Sequence, residues 1–178
     1  MQSNDSFFAS LKSNNATTKR KYESFSSTSH TNDTFKYKAE KYGDEITHFV
    51  MRDYYVEGEV SKSQLFLEKL YFEKGEIIFR EAFQHAWLSL YTLDNPGHLY
   101  TFACIASGLP YEWLENHGTT LMLGCSSHKS ELVNEACIRM VEAWEEPKHV
   151  NFLENMTPFE IDWLEDYRLS TINFLKGL

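Results

Sequence analysis

The residues best suited to chemistry are cysteines and histidines in the second half of the chain. Cys125 and His128 stand three positions apart, a spacing used by metal-binding pairs, and His117 precedes them. Closed zinc sites usually combine two pairs of the CxxC or HxxxH type, and this sequence contains no such pair. Buried free thiols explain Cys104 and Cys137 without a metal. The sequence therefore predicts no metal and no other cofactor.

The same residues are the candidates for covalent or metal-assisted hydrolysis. A nucleophilic cysteine or serine needs a histidine beside it that a carboxylate orients, but the chain contains neither a GxSxG elbow nor a glycine-rich phosphate loop. The segment 124–127 is the nearest approach, as a short link before a helix whose amides could bind an anion. A small hydrolase or metal-dependent enzyme that uses Cys125, His128 and His117 is the alternative interpretation. The leading interpretation has no catalytic residue.

Charge divides the chain into two parts. Residues 1–40 hold six Lys or Arg against four Asp or Glu, whereas the remaining 138 residues hold eleven against twenty-two. Nucleic-acid binding depends on clustered Lys and Arg that displace counterions. The one stretch whose residue spacing is typical of a helix-turn-helix, ACIASGLPYEWL, has no Lys or Arg. The acidic body therefore argues against direct nucleic-acid binding and favours a basic protein partner.

Composition and cysteine usage indicate a folded intracellular protein. The 178 residues are 42% hydrophobic and 15% aromatic, which is enough for one domain with a packed core. Three cysteines among apolar residues do not indicate a disulfide framework. The N-terminal segment lacks the apolar core of a signal peptide, and no run approaches the roughly 20 apolar residues of a membrane span. We expect a soluble, cytoplasmic protein without membrane contact.

The chain is predicted to begin with a flexible arm. Residues 1–34 are rich in Ser, Asn and Thr and show neither helical nor strand periodicity, so a single helical domain is assigned to residues 35–178. Its first element, from Asp44 to about Val56, is predicted as a helix, although a strand pair fits the same residues. Ser61 or Ser63 is expected to cap a helix at 62–73, and Gly75 to end it.

Two windows fifty-four positions apart have the same apolar pattern: EIIFREAFQHAW from Glu76 and ELVNEACIRMVEAW from Glu131. In each, the apolar residues fill half of the helix surface. A helix with so wide an apolar arc is buried against two neighbouring elements.

The links between these windows predict further short helices. Asn95 followed by proline starts one helix, and Gly108 is expected to close it in a left-handed conformation. A second helix, PYEWLENH, is expected to stop at Gly118. Pro147 follows the second window, and a capping box that begins at Thr157 is expected to open the last helix. These signals predict a mainly α fold of about seven helices, arranged as an irregular bundle or a short α-solenoid.

One family resembles this pattern. The run Val133-Asn134-Glu135-Ala136 with the later Pro147 resembles the inner helix and link of a HEAT/armadillo-like repeat, as does Phe79-Arg80-Glu81-Ala82 with its basic residue. The resemblance covers mainly residues 76–156. It implies stacked helix pairs, each of which buries a face against the next.

An acidic helical domain rich in aromatic residues and without a catalytic motif suggests protein recognition. Aromatic anchors provide much of the binding energy at interfaces, and charge steers the partner. We therefore predict an interaction module, of the inhibitor or immunity-protein type, that neutralises a basic target such as a toxin or nuclease. The sequence does not define the oligomeric state. The predicted partner-binding residues are Glu112, Trp113, Glu115, Glu142, Glu145 and Glu146.

Overall fold

The computed structural model describes residues 33–178, and every regular element in that range is a helix. The predicted mainly α fold is confirmed. The predicted arm lies outside the described residues except for positions 33 and 34, which are already helical. Contacts divide the chain into two units, Met1–Lys38 and Ala39–Leu178. The packing and the sites described below belong to the second unit.

Nine α-helices and one 3-10 turn occupy the described residues, against about seven helices expected. The α-helices differ greatly in length, and α5 and α8 have only about one turn each. The elements are α1 over 33–50, α2 Lys62–Lys74, α3 Glu76–Leu93, α4 Pro96–Ser107, α5 Tyr111–Leu114, α6 Asn116–Ser126, α7 Glu131–Trp144, the 3-10 turn Pro147–His149, α8 Val150–Glu154 and α9 Asp162–Lys176.

The uncertain region 44–60 is helical only as far as residue 50, and irregular backbone follows. Because α1 covers 33–50, the predicted start at Asp44 and the predicted end near Val56 are both too late, and the residues of the alternative strand pair form no strand. Asp53 organises the irregular part, because its carboxylate accepts hydrogen bonds from the amide of Tyr54 and from both the amide and hydroxyl of Ser63. Partial burial acts to raise the pKa of Asp53, but these hydrogen bonds outweigh it and hold the pKa below its usual value.

Several helix ends agree with the local signals in the sequence. The Ser61 hydroxyl accepts from the Gln64 amide at 3.1 Å and begins α2, and Gly75 ends that helix at φ +82°. The Asn95 side chain accepts from the first amides of α4, which has proline at its first position. The windows around Glu76 and Glu131 form α3 and α7 at the predicted positions.

Three predicted ends are wrong. Gly108 follows α4 as expected, but its backbone is right-handed, with φ −81°. Its amide bonds to carbonyl oxygens of the last turn of α4. Glu115, at φ +46°, separates α5 from α6, so Gly118 lies inside α6 instead of stopping a helix. The last helix begins at Asp162 without a side-chain cap, because the capping-box residues from Thr157 remain irregular.

The two glycines inside α6 permit close packing against large aromatic rings. A Cβ on Gly118 would lie 3.2 Å from the rings of Trp144 and Tyr111, and one on Gly124 would overlap the ring of Trp87. Tertiary packing therefore explains both glycines, which the sequence pattern did not reveal.

The core is centred on α4, in which seven of the eight residues from Leu99 to Ala106 are buried and only Tyr100 is not. Helix α7 packs against α4, α6 and α9, and α3 packs against α2, α4 and α6. The predicted burial of both windows against more than one neighbour is thus observed. Two large apolar residues of the windows are exceptions, Ile77, which is 70% exposed, and Leu132, which is 43% exposed.

Arg80 and Asn134, which hold equivalent positions in the two windows, have similar roles. Arg80 donates to the carbonyl oxygens of Glu112 and Trp113 in α5, at 2.6 and 2.8 Å. Asn134 donates to the carbonyl oxygens of Cys125 and His128 after α6, at 2.9 and 3.0 Å. Each side chain satisfies carbonyls that a helix end leaves without an intrahelical partner.

Candidate functional site

The corner between α2 and α3 exposes two large apolar side chains. Phe72, near the end of α2, is 74% exposed, and Ile77, in the first turn of α3, is 70% exposed. Gly75 makes the corner with a positive φ that favours glycine. Exposed apolar side chains grouped within a few residues of chain, beside an aromatic cluster, are typical of an interaction surface.

Aromatic stacking supports the exposed side chains from beneath. The ring of Tyr71 stacks on Trp113, with centroids 3.9 Å apart and planes at 4°. The edge of Phe72 meets Trp113 at 5.3 Å, and Phe79 adds a further edge contact at 6.3 Å. Because one face of Trp113 is covered by Tyr71, Phe72 is the aromatic residue that remains most available to a partner.

Arg80 fixes α5 beside this cluster. In addition to its bonds to two α5 carbonyls, its guanidinium lies 2.5 Å from a carboxylate oxygen of Glu76 and 3.0 Å from one of Glu115. The Arg80 side chain is only 16% exposed, so its charge faces the protein. A one-turn helix is not stable alone, and these contacts hold α5 in place.

Carboxylates surround the apolar residues. Glu73, Glu76 and Glu115 have side chains about half exposed, at 48%, 50% and 57%, and Glu112 is also exposed. Lys69 and Lys74 pair with Glu73, which leaves the carboxylates in excess. We call this surface the Phe72 patch; its residues are Phe72, Ile77, Trp113, Glu73, Glu76, Glu112 and Glu115.

Three of the predicted partner-binding residues lie on or directly after α5, and the other three lie on or directly after α7. Glu112, Trp113 and Glu115 lie in or directly after α5 and belong to the Phe72 patch. The remaining three lie at the end of α7, toward the side of α5 where Tyr111 contacts Trp144. Within that group Glu142 accepts from the Tyr167 hydroxyl, Glu146 pairs with Lys148, and Glu145 is exposed.

Phe72 and Ile77 were not predicted as site residues. Phe72 and Leu65 of α2 are exposed, whereas Leu67 and Leu70 of the same helix fill the core. A signal for Ile77 was present, because it falls outside the apolar arc of α3. No comparable signal existed for Phe72, whose exposure follows from how the α2–α3 corner packs.

The residues of the enzyme alternative do not form one site. Cys125 is fully buried, and burial raises the pKa of its thiol well above the usual value, which disfavours the nucleophilic thiolate. His117 lies in the first turn of α6, whereas His128 follows the end of that helix. The segment 124–127 forms the last turn of α6 and not an anion-binding link before a helix.

His128 has a structural role in this fold. Its Nδ1 accepts from the amide of Ser130 at 3.0 Å, so its Nε2 donates to Asp94 at 3.1 Å. Lys129 and His128, through their hydrogen bonds, hold the pKa of the Asp94 carboxyl below its usual value. With both ring nitrogens engaged, His128 ties the α6–α7 link to the end of α3. Among the described residues, no group of three or more His, Cys, Asp or Glu could hold a metal ion.

His149 is a buried histidine without hydrogen-bond partners in the protein. It is 5% exposed, and neither ring nitrogen bonds to another group in the described part of the chain. The rings of Tyr111 and Trp144 lie against it, at 4.8 and 6.0 Å. Burial, with a smaller effect of Lys148, lowers the pKa of His149 to about 4.

This low pKa predicts a loss of stability in mild acid. The unfolded imidazole binds a proton below about pH 6.5, whereas the folded one does so only below about pH 4. Between these values the unfolded state holds more protons, so stability falls as the pH falls. We expect His149→Phe to reduce the loss of stability between pH 7 and 4 by about 3 kcal/mol, measured by urea unfolding. An unchanged pH dependence in the variant would contradict this.

No family model matches the sequence, and neither a characterised protein nor a solved structure shows significant similarity to it. The HEAT/armadillo resemblance therefore stays a prediction. Within residues 33–178, no helix has the length and apolar content to cross a membrane.

Proposed function

We propose that this chain is a non-catalytic protein-binding module and that the Phe72 patch is its docking surface. The observation that carries the proposal is the exposed ring of Phe72 beside the stacked rings of Tyr71 and Trp113. Ile77, which is also exposed, follows in the first turn of α3. Burying an exposed phenylalanine in a complex contributes about 2 kcal/mol. Because Trp113 and Arg80 hold the neighbouring elements in place, little conformational entropy is lost on binding.

The charge of the patch supports a basic partner. Its four carboxylates outnumber the nearby exposed lysines, and the body of the chain carries twice as many acidic as basic residues. A complementary surface presents an apolar side chain next to Lys or Arg. We therefore propose a basic protein as the partner, and inhibition of a basic toxin or nuclease in the manner of an immunity protein as the role.

The test combines partner capture with point variants. The tagged full chain is used to purify partners from its own cells at low and high salt. The proposal expects a basic protein that binds the purified chain with 1:1 stoichiometry and less tightly at high salt. Phe72→Ser should weaken this binding roughly thirtyfold, the equivalent of about 2 kcal/mol, measured by isothermal titration calorimetry.

Two controls make this result specific. Leu88→Ser changes a similarly exposed apolar residue of α3 outside the patch, where Leu88 is 54% exposed, and should leave the affinity unchanged. Glu112→Lys should weaken binding, whereas Glu145→Lys, at the end of α7, should not. Equal affinities for the wild type and Phe72→Ser, with both proteins folded, would reject the patch as the docking surface.

A further inference from the structure

A cleft that shares no residue with the Phe72 patch lies between the end of α1 and the start of α2. It has a volume of about 570 Å³, and its wall includes Phe49 of α1, Arg52 and Tyr54 of the irregular segment that follows, and Lys62 of α2. Cavities of about 300 to 1,000 Å³ are typical of small-molecule sites. The cleft is thus large enough for a ligand with a single aromatic ring.

The cations in this wall differ from most others in the second unit. Of the eleven Lys and Arg residues in 41–178, eight form salt bridges with carboxylates in the described structure. Arg52 and Lys62 are among the three that form none within the described residues, and both line the cleft. Two positive charges therefore remain available to an anion at one place.

The wall also contains carboxylates, which the acidic composition of the chain explains. Glu45 and Glu59 line the cleft, and acidic residues outnumber basic ones two to one in this part of the chain. Unpaired carboxylates are therefore expected on any surface of this protein, whereas unpaired cations are not. The carboxylate of Asp53 is already occupied by hydrogen bonds from Tyr54 and Ser63.

Aromatic side chains supply the apolar part of the wall. Phe49 stacks on Phe66 with centroids 4.5 Å apart and planes at 21°, yet 40% of it remains exposed. Tyr54, in the irregular segment after α1, is 74% exposed. Because Phe66 holds the ring of Phe49 in position, a ligand ring can stack on Phe49, and stacked rings are a favourable geometry for aromatic pairs.

We infer that this cleft binds a small amphipathic anion, an aromatic or branched apolar body that carries a phosphate or carboxylate group. Arg52 and Lys62 bind the anionic group, and Phe49 and Tyr54 contact the apolar body. Arginine pairs with such groups through two parallel hydrogen bonds, and lysine adds a point charge. This site is independent of the proposed protein-binding function, because it shares no residue with the Phe72 patch.

The test uses the ¹⁵N-labelled full chain titrated with phenyl phosphate and followed by NMR. We expect saturable shifts in the amides of residues 45–62. Inorganic phosphate, which lacks the ring, and benzyl alcohol, which lacks the charge, should each bind at least tenfold more weakly. The double variant Arg52→Gln/Lys62→Gln should lower the affinity for phenyl phosphate at least tenfold.

A matched variant separates the cleft from general charge effects. Lys69→Gln/Lys129→Gln removes the same charge at two exposed lysines elsewhere, which are 67% and 76% exposed, and should leave the affinity unchanged. The inference is overturned if the shifts fall outside residues 45–62 or if both double variants bind equally. It is also overturned if inorganic phosphate or benzyl alcohol binds as tightly as phenyl phosphate, because the ring or the charge would then contribute nothing to binding.

Discussion

Gly124→Val is expected to destabilise the protein by about 3 kcal/mol. A Cβ at this position would overlap the ring of Trp87, which lies directly against the α6 backbone. Overpacking a core commonly costs about 1 to 3 kcal/mol, and occasionally more. The cost is at the upper end here, because valine adds two more methyl groups and because Trp87 is itself only 3% exposed and packed against Phe102 and Tyr91.

Urea unfolding monitored by circular dichroism measures this loss. The specific control is the pair Gly124→Ala and Trp87→Leu, because a smaller side chain at 87 removes the overlap. The double variant should lose less stability than the sum of the single variants. Additive losses would mean that the Gly124 and Trp87 sites do not interact, and the explanation for this glycine would then be wrong.

Arg168→Met is expected to lower the free energy of unfolding by about 3 kcal/mol. Arg168 is 5% exposed and binds both carboxylate oxygens of Glu165, at 2.9 and 2.5 Å, as well as the carbonyl oxygen of Leu153 at 2.6 Å. Glu165 in turn accepts from the Phe159 amide at 3.1 Å. Methionine has a similar volume but leaves the Leu153 carbonyl and the Glu165 carboxylate without their cation. Removing one partner of a buried ion pair is strongly destabilising, because the other partner is left unpaired.

The matching control lies on the same two helices. Lys176 of α9 pairs with Glu154 of α8 at 2.6 Å, but both side chains are about half exposed, at 52% and 46%. Exposed pairs contribute between about 0 and 1 kcal/mol, so Lys176→Met should change the free energy of unfolding by less than about 1 kcal/mol. Similar losses in the two variants would show that burial does not determine how much the Arg168 contacts contribute to the free energy of unfolding.

Local signals in the sequence predicted the elements whose ends depend on nearby residues. The ends of α2 follow from Ser61 and Gly75, and the start of α4 follows from Asn95 and the proline after it. Each of these residues acts on backbone groups within four positions of itself. The wide apolar arcs located α3 and α7 for a similar reason, because burial on several sides determines the residue types along the helix.

The errors occurred where distant residues decide the local structure. Gly118 continues α6 because Trp144 and Tyr111 fill the space that a side chain would need. Glu115 breaks the helix instead, with a positive φ of 46°, and its carboxylate pairs with the largely buried guanidinium of Arg80. The capping box at Thr157 fails because Glu165 binds the Phe159 amide and α9 begins only at Asp162. None of these partners is adjacent in sequence.

The candidate surface was predicted only in part, for a related reason. Glu112, Trp113 and Glu115 were identified from their types, since aromatic and acidic residues on a short helix suggest recognition. Their grouping with Phe72 depends on the stacking of Trp113 against Tyr71 and on the bonds from Arg80 to α5. Such contacts between helices more than thirty positions apart have no signature in a single sequence.

The burial of the three cysteines makes the protein well suited to site-specific labelling. Cys104, Cys125 and Cys137 are the only cysteines in the chain, all are free and buried, and burial raises the pKa of each thiol. Maleimides react with thiolates, so the native protein should remain unmodified at neutral pH. A single cysteine introduced at an exposed position such as Leu65 would then carry a fluorophore or cross-linker alone, without removal of any native residue.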